Sequence, residues 1–192
     1  MIAQMGVSSP MLWLTLPVRR LLLALAALLT LVAPALAQAN TPSGLPLPRF
    51  ATTRSEPINV RVGPGTKYEV AWIYVKAGVP VEIIQEFDTW RKIRDADGSE
   101  GWVHQNLLSG RRSAYVTPWN QGETVPLKAR GDTDAGIRAW LGSGFQVQVA
   151  KCDGKWCEVS ATGKSEGDRS ATYNGYVAQN TLWGVYQNEI VD

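Results

Sequence analysis

The sequence is poor in the side chains that most often build metal and catalytic sites. Histidine occurs once, as His104, and cysteine twice, as Cys152 and Cys157, in 192 residues. A structural zinc ion takes about four nitrogen or sulfur ligands, and the two cysteines lack the Cys-x-x-Cys spacing of a redox pair. We therefore expect no metal, no cofactor and no enzymatic activity, and we expect the histidine to lie at the surface.

An excess of charge is also missing. The chain carries 19 basic and 17 acidic side chains, and two of the basic ones, Arg19 and Arg20, lie in a segment that we expect to be removed. The 17 basic residues that remain balance the 17 acidic ones. Binding to nucleic acid or to an anionic membrane surface depends on a basic patch, so neither is expected as a partner.

Long apolar runs are absent except for Leu21–Val32. This run follows two arginines and precedes a small-residue triplet that ends at Ala37, which is the order of a secretory signal peptide. It is shorter than the roughly 20 residues that span a bilayer. We expect residues 1–37 to be cleaved near Ala37, leaving a periplasmic or secreted protein without stable membrane insertion. A retained anchor and a true start at Met11 remain open alternatives.

Amphipathic helical periodicity is missing from the rest of the chain. Residues 38–54 are a Pro-rich linker by composition. After them, short apolar stretches are separated by turn signals, and Asp97-Gly98 marks a β-hairpin with Trp90 and Trp102 on its arms. Five short strands in about 55 residues indicate a small barrel. They are Ile58–Val62, Val70–Val75, Val79–Ile83 and the two hairpin arms.

The same pattern occurs twice. Asp153–Val159 repeats Asp88–Ile93, with Trp156 66 residues after Trp90, and Gly175–Val177 repeats Gly101–Val103, 74 residues later. Self-similarity at a nearly fixed spacing indicates a duplicated structural unit. We predict an all-β protein with two tandem small five-stranded barrels.

The predicted boundaries follow from the ends of the two copies. The first barrel is expected over residues 55–112, a linker over 113–123 and the second barrel over 124–187. In the second copy the hairpin is longer, and its Gly, Ser and Thr content predicts an exposed loop over residues 160–174.

These motifs resemble a known family. Asn59–Gly65, the Trp-x-x-Ile of Trp90–Ile93 and the Gly-Trp-Val of Gly101–Val103 look like the bacterial SH3-like (SH3b) domain. The wider pattern, which includes Cys152–Cys157, is similar to an exported family of Gram-negative bacteria with two SH3-like domains. The resemblance implies five-stranded SH3-like barrels and a binding or targeting role at the cell envelope.

The resemblance extends from Leu45 to about Tyr186 and is sharper in the first unit. In the second unit Arg130–Asp132 replaces the Gly63–Gly65 loop. The aromatic ligand motif of eukaryotic SH3 domains is absent, so the resemblance does not imply binding of proline-rich peptides.

The two cysteines are an even number in a chain that we expect to be exported. They would face each other across the neck of a hairpin that contains Asp153-Gly154. A disulfide between Cys152 and Cys157 is the first interpretation. Free thiols and a two-cysteine metal site remain alternatives, although the sequence offers no further ligands beside them.

Aromatic residues are the best candidates for a ligand site. Core packing accounts for most of them, but a barrel of about 60 residues has a small core and cannot hide them all. Tyr68 and Trp72 lie near the glycine loop where an SH3-like groove would open, and Arg61 is a polar candidate beside them. The candidate ligand-binding residues are Arg61, Tyr68, Trp72, Trp90 and Trp102, and their counterparts in the second unit are Trp140 and Trp156.

The favoured hypothesis is a non-catalytic exported binding module. Its partner would be a cell-wall component (a peptidoglycan peptide or glycan) or an envelope protein. The alternatives are a scaffold that contacts only proteins and an accessory of a cell-wall hydrolase. An enzyme with an unrecognised site would need a Cys-His or metal constellation, which the sequence does not offer.

Overall fold

Alternating apolar residues and frequent turn signals produce strands throughout the part of the chain that the computed structural model describes, residues 41–164 and 169–192. The predicted signal segment, residues 1–37, lies outside it. Two short 3₁₀ turns, at Gln105–Leu107 and Gln179–Thr181, are the helical elements of these residues. The fold is therefore all-β, as predicted.

Seven strands form the first sheet, in the order β3-β2-β6-β5-β4-β1-β7. The five predicted strands are β2 to β6. The strands are β1 (Arg49–Thr53), β2 (Ile58–Arg61), β3 (Val70–Tyr74), β4 (Pro80–Phe87), β5 (Trp90–Arg94), β6 (Glu100–His104) and β7 (Leu108–Ser109).

The second sheet repeats this order, as β10-β9-β13-β12-β11-β8-β14, and a short β15 pairs with β11. Ile93 pairs with Gly101 in the first sheet, and Val159 pairs with Gly175 at the equivalent place in the second. The strands are β8 (Arg112–Val116), β9 (Thr124–Lys128), β10 (Ile137–Gly142), β11 (Gln146–Asp153), β12 (Trp156–Lys164), β13 (Ser170–Ala178), β14 (Leu182–Trp183) and β15 (Ile190–Val191).

Each sheet encloses its own apolar core. Ile58, Val60 and Ile93 are fully buried in the first core, and Leu127, Val159 and Val177 are buried in the second. The long β4 and β11 carry a register shift at corresponding places relative to their partner strands. Such bulges bend a strand and let a small sheet curve around its core.

Both predicted linkers contain a strand. Arg49–Thr53 lies in the predicted linker 38–54 and pairs with β4, and Arg112–Val116 overlaps the predicted linker 113–123 and pairs with β11. The physical reason is that each strand adds to the long central strand of a sheet and buries Ala51 or Val116. The sequence showed no alternating period there, because both segments are buried on more than one side.

The predicted exposed loop over residues 160–174 is also wrong in part. Strands β12 and β13 stay paired as far as Lys164 and Ser170. Thr162 and Thr172 share a hydrogen bond across the arms, at 2.8 Å. Threonine favours strands, and this preference outweighs the glycine and serine content that suggested a loop.

The two barrels contact each other through polar and aromatic side chains. Thr52 and Ser113 share a buried hydrogen bond of 2.8 Å. The Phe50 ring packs edge-on against Trp183, and the Tyr186 hydroxyl donates to Glu82 at 2.9 Å. Within residues 41–164 and 169–192, no helix is long and apolar enough to cross a membrane.

Candidate binding site

Four of the five predicted ligand residues come from one side of the first barrel. Trp102 pairs with Arg61 on β2 and with Lys92 on β5, and Trp90 pairs with His104. Since alternate residues of a strand point to opposite faces, and Ile93 and Val103 are in the core, these side chains lie on the outer face. We call this set, with Tyr68, the outer face of the first barrel.

The loop between β2 and β3 places Tyr68 at this face. The Arg61 guanidinium donates to the carbonyl oxygen of Tyr68 at 2.6 Å. The Tyr68 ring folds over Gly63, where a Cβ atom would lie 2.5 Å from a ring carbon. Only glycine therefore allows this packing. The Lys67 ammonium lies 5.4 Å from the ring centroid, within cation–π range, and the ring is 36% exposed.

Trp102 and Trp90 differ in exposure on this face. Trp102 is only 9% exposed and counts among the buried side chains, although it does not belong to the apolar cluster of the first core. Trp90 is half-buried and meets the His104 ring edge-to-face, with centroids 5.6 Å apart. His104 also accepts a hydrogen bond from the backbone N–H of Asn106 and so caps the 3₁₀ turn.

Trp72 does not lie with the other four. It pairs with Val60, a core residue, and packs against the core cluster and against Tyr74, with ring centroids 6.2 Å apart. A Cβ atom at Gly101 would lie 2.9 Å from the end of its indole. Packing explains the position of Trp72. That Trp72 contacts a ligand stays a prediction, and the contacts of its ring with the core do not support it.

A buried charge cluster, which sequence reasoning missed, lies behind the first hairpin. Glu86 has no exposed side-chain surface and pairs with Arg49 and with Arg91, whose Nε lies 3.1 Å away. Arg91 also donates to the side-chain oxygen of Gln105. Burial by itself would raise the pKa of Glu86, but hydrogen bonds from Arg49 and Ser43 outweigh it and lower the pKa. The cluster ties β4 and β5 to the segment before β1.

The second barrel has a disulfide at the same place. Cys152 and Cys157 are bonded and pair across β11 and β12, as Glu86 and Arg91 pair across β4 and β5. The predicted disulfide is thus confirmed, and neither cysteine is a free thiolate. Among the described residues, no group of three or more His, Cys, Asp or Glu side chains could hold a metal ion.

A polar cleft of about 620 Å³ lies between the barrels, and the sequence did not predict it. No sequence motif marks it, because its walls come from single positions on strands of both barrels. Gln146 bridges towards Ala77, and its Oε1 is buried without a hydrogen-bond partner among the described residues. The lining residues include Thr53, Arg54, Ser109, Arg111, Gln146 and Gln148.

One family model and one curated protein match parts of this chain. The family model for the bacterial SH3 domain matches residues 54–110. A Bacillus subtilis (strain 168) protein named "Putative N-acetylmuramoyl-L-alanine amidase YrvJ" is 27% identical over 120 residues. That match covers 57% of this chain and 22% of the Bacillus protein, so the chain spans less than a quarter of the relative's length.

Two solved structures from Trichomonas vaginalis show a weaker likeness. NlpC2 is 11% identical with a TM-score of 0.30, over 71% of this chain and 48% of its own. NlpC1 is 13% identical with a TM-score of 0.29, over 79% and 50%. Neither similarity bears on function. The bacterial SH3 domain model thus matches this chain over the first barrel, residues 54–110.

Proposed function

We propose that this protein binds a component of the bacterial cell wall through the outer face of its first barrel. The observation that carries the proposal is the match of residues 54–110 to the bacterial SH3 domain. The Bacillus protein described above is named as a putative amidase of N-acetylmuramoyl-L-alanine, a bond of the cell wall. A wall component is therefore the ligand class to test first, and its peptide and its glycan are both candidates.

The chemistry of the outer face supports binding. The Tyr68 ring offers an exposed aromatic surface, and Arg61 is held in place by its hydrogen bond to the Tyr68 carbonyl. Aromatic and arginine side chains are the residue types that contribute most at binding surfaces. Trp90 extends the aromatic surface along β5, and Lys92 lies between it and the Arg94–Glu100 ion pair.

An exported location would fit the same proposal. The disulfide between Cys152 and Cys157 suits an oxidising compartment such as the periplasm or the cell exterior. The protein would then meet the wall directly. It would act without chemistry of its own, as a binding module or as an accessory of a wall hydrolase.

The test is retention on purified sacculi. The exported chain should co-sediment with them, and Tyr68→Ala should reduce retention at least tenfold, since truncating a true anchor costs about 2 kcal/mol or more. Tyr173→Ala is the matched control, because Tyr173 is also an exposed tyrosine, 44% exposed, but lies on the second barrel. Equal retention of both variants would place the binding surface elsewhere.

One observation favours a protein partner as a second candidate. Strand β3 is at the end of its sheet, and apolar side chains are exposed on it and directly after it: Ile73 is 51% and Val75, which follows the strand, is 81% exposed. An exposed apolar edge strand can pair with a strand of another protein. A parallel pull-down from envelope extract, with Ile73→Lys as the variant, tests this. Capture of one defined protein that the variant loses, together with no retention on sacculi, would favour the scaffold.

A further inference from the structure

Two equivalent glutamines, one in each barrel, have different hydrogen-bond partners. Gln105 and Gln179 hold equivalent places, since each backbone N–H donates at 2.8 Å to a hairpin carbonyl, of Thr89 and Lys155 respectively. In the first barrel the side-chain oxygen of Gln105 accepts a hydrogen bond from Arg91. In the second barrel the position of Arg91 is taken by Cys157, which is in the disulfide and has no side-chain donor to offer.

The side-chain oxygen of Gln179 is consequently left without a partner. Gln179 is 2% exposed, and its Oε1 is buried with no hydrogen bond to any described residue. Its amide nitrogen donates to the carbonyl oxygens of Tyr186 and Glu189, at 2.7 and 2.9 Å. These two bonds hold the amide in one orientation, so the side chain cannot rotate to bring its Oε1 to another hydrogen-bond donor. Buried polar atoms without partners are rare and call for an explanation.

Gln179 lines a pocket of about 310 Å³ beside the disulfide hairpin. Trp156 lines the same pocket, and the indole is fixed on another side by Gly131, where a Cβ atom would lie 3.1 Å from the ring. The pocket thus combines a fixed aromatic ring with amide side chains. Its lining is Gly154, Lys155, Trp156, Ala178, Gln179, Asn180, Gln187 and Asn188.

The pocket has little free charge. Lys155 is the one ionisable residue in its lining. The neighbouring carboxylate of Asp153 accepts hydrogen bonds from the backbone N–H groups of Trp156 and Lys155, at 2.7 and 2.8 Å, and these bonds lower the pKa of Asp153. Asp153 is therefore engaged by its own hairpin turn.

We propose that this pocket of the second barrel binds a neutral sugar ring that carries an N–H or O–H donor, such as an N-acetylhexosamine. The donor satisfies the Oε1 of Gln179, and the apolar face of the ring stacks on Trp156. Amide side chains both donate and accept hydrogen bonds, as the hydroxyl and acetamido groups of a sugar do. The proposal rests on the proposed function only for the source of the sugar, which would be the glycan strand of the wall.

Two features differ at the equivalent place in the first barrel. Gln105 is already satisfied by Arg91, and the His104 ring packs against Trp90 where the second barrel has Ala178. A histidine at this register position is already tolerated in the first barrel, so the equivalent substitution can be made in the second. Ala178→His should place a ring beside Trp156 and block the pocket.

The experiment is an NMR titration of the exported, ¹⁵N-labelled chain with an N-acetylglucosamine tetramer. The indole N–H of Trp156, assigned by its loss in Trp156→Phe, and the side-chain amide of Gln179 should shift and saturate. Ala178→His should weaken this binding at least tenfold. Ala171→His, on the same strand but opposite Gly163 in the hairpin arm, is the matched control and should bind as the wild type does. Dispersed backbone signals of both variants verify that they are folded.

Three outcomes would overturn the proposal. The first is the absence of a saturable shift at Trp156 up to about 10 mM sugar, which excludes even a weak site with a Kd of about 1 mM and leaves Gln179 satisfied by water alone. The second is equal binding by Ala178→His. The third is a shift caused by a free wall stem peptide and not by the sugar.

The sacculus assay separates this proposal from the proposed function. A chain that is retained on sacculi but shows no sugar shift at Trp156 contradicts the pocket and leaves the function in place. A chain that binds the tetramer at Trp156 but is not retained contradicts the function and leaves the pocket in place.

Discussion

Arg91 of the first barrel and Cys157 of the second occupy the same place in their sheets. Each pairs across a hairpin with the residue five positions before it, Glu86 or Cys152. One hairpin is tied by a buried ion pair, and the other is tied by a covalent bond. The two barrels should therefore lose stability under different conditions.

Removing one partner of the buried ion pair should destabilise the first barrel strongly. In Glu86→Ala the guanidinium groups of Arg49 and Arg91 keep their burial but lose the carboxylate. An uncompensated buried charge costs about 3 kcal/mol or more. Chemical unfolding followed by tryptophan fluorescence measures the free energy of unfolding. Glu100→Ala, which removes an exposed ion pair with Lys92 and Arg94, is the control and should have little effect.

Acid should weaken the first barrel through the same carboxylate. The pKa of Glu86 is lowered in the folded state, below its ordinary value of about 4.3. Its contribution to stability is therefore complete above that ordinary value and is lost as the pH falls through the folded pKa. The free energy of unfolding between pH 7 and pH 3 should fall more steeply for the wild type than for Glu86→Gln. Parallel pH profiles would show that Glu86 is not the titrating group.

Reduction should weaken the second barrel only modestly. The disulfide joins residues that are five positions apart, and closing so short a loop contributes about 2 kcal/mol in the chain-entropy account. The Cys152→Ser variant should keep its fold and unfold at a lower denaturant concentration. Mass spectrometry of unreduced, exported protein should find no free thiol. Two free thiols would contradict the bond.

Trp72→Ala should damage the fold of the first barrel. Trp72 packs against the core cluster beside Gly101, and truncating a core tryptophan costs about 3 kcal/mol. Tyr68→Ala, which removes an exposed ring, should leave thermal unfolding almost unchanged. A Trp72→Ala variant of normal stability that loses retention on sacculi would return Trp72 to the binding site.

The sequence predicted the class of fold because its signals are local. Period-two alternation around Val60, turn signals at Asp97-Gly98 and the repeat of Trp90 at Trp156 each depend on a few neighbouring residues. The disulfide could also be predicted from the sequence, because Cys152 and Cys157 lie on either side of one hairpin turn. The strands at Arg49–Thr53 and Arg112–Val116 were missed, since each is specified by the distant strand with which it pairs.

The candidate site was only partly predictable. Arg61, Tyr68, Trp90 and Trp102 could be selected as an aromatic and basic group, but the assignment of each ring to the core or to the outer face depends on the sheet. A register shift between Val60 and Arg61 changes which residues face β3. Spacing along the chain does not reveal such a shift.

By itself, the sequence determined that this chain forms two similar units of short strands, since alternation, turns and repetition are properties of neighbouring residues. The tertiary structure alone decided that Trp72 packs inside while Trp90 lies outside, and that Gln179 loses the partner that Gln105 keeps. Those outcomes depend on which side chains meet across paired strands. The physical reason is that a hydrogen bond or a packed ring needs both partners in place, and the chain brings them together only when the sheet forms.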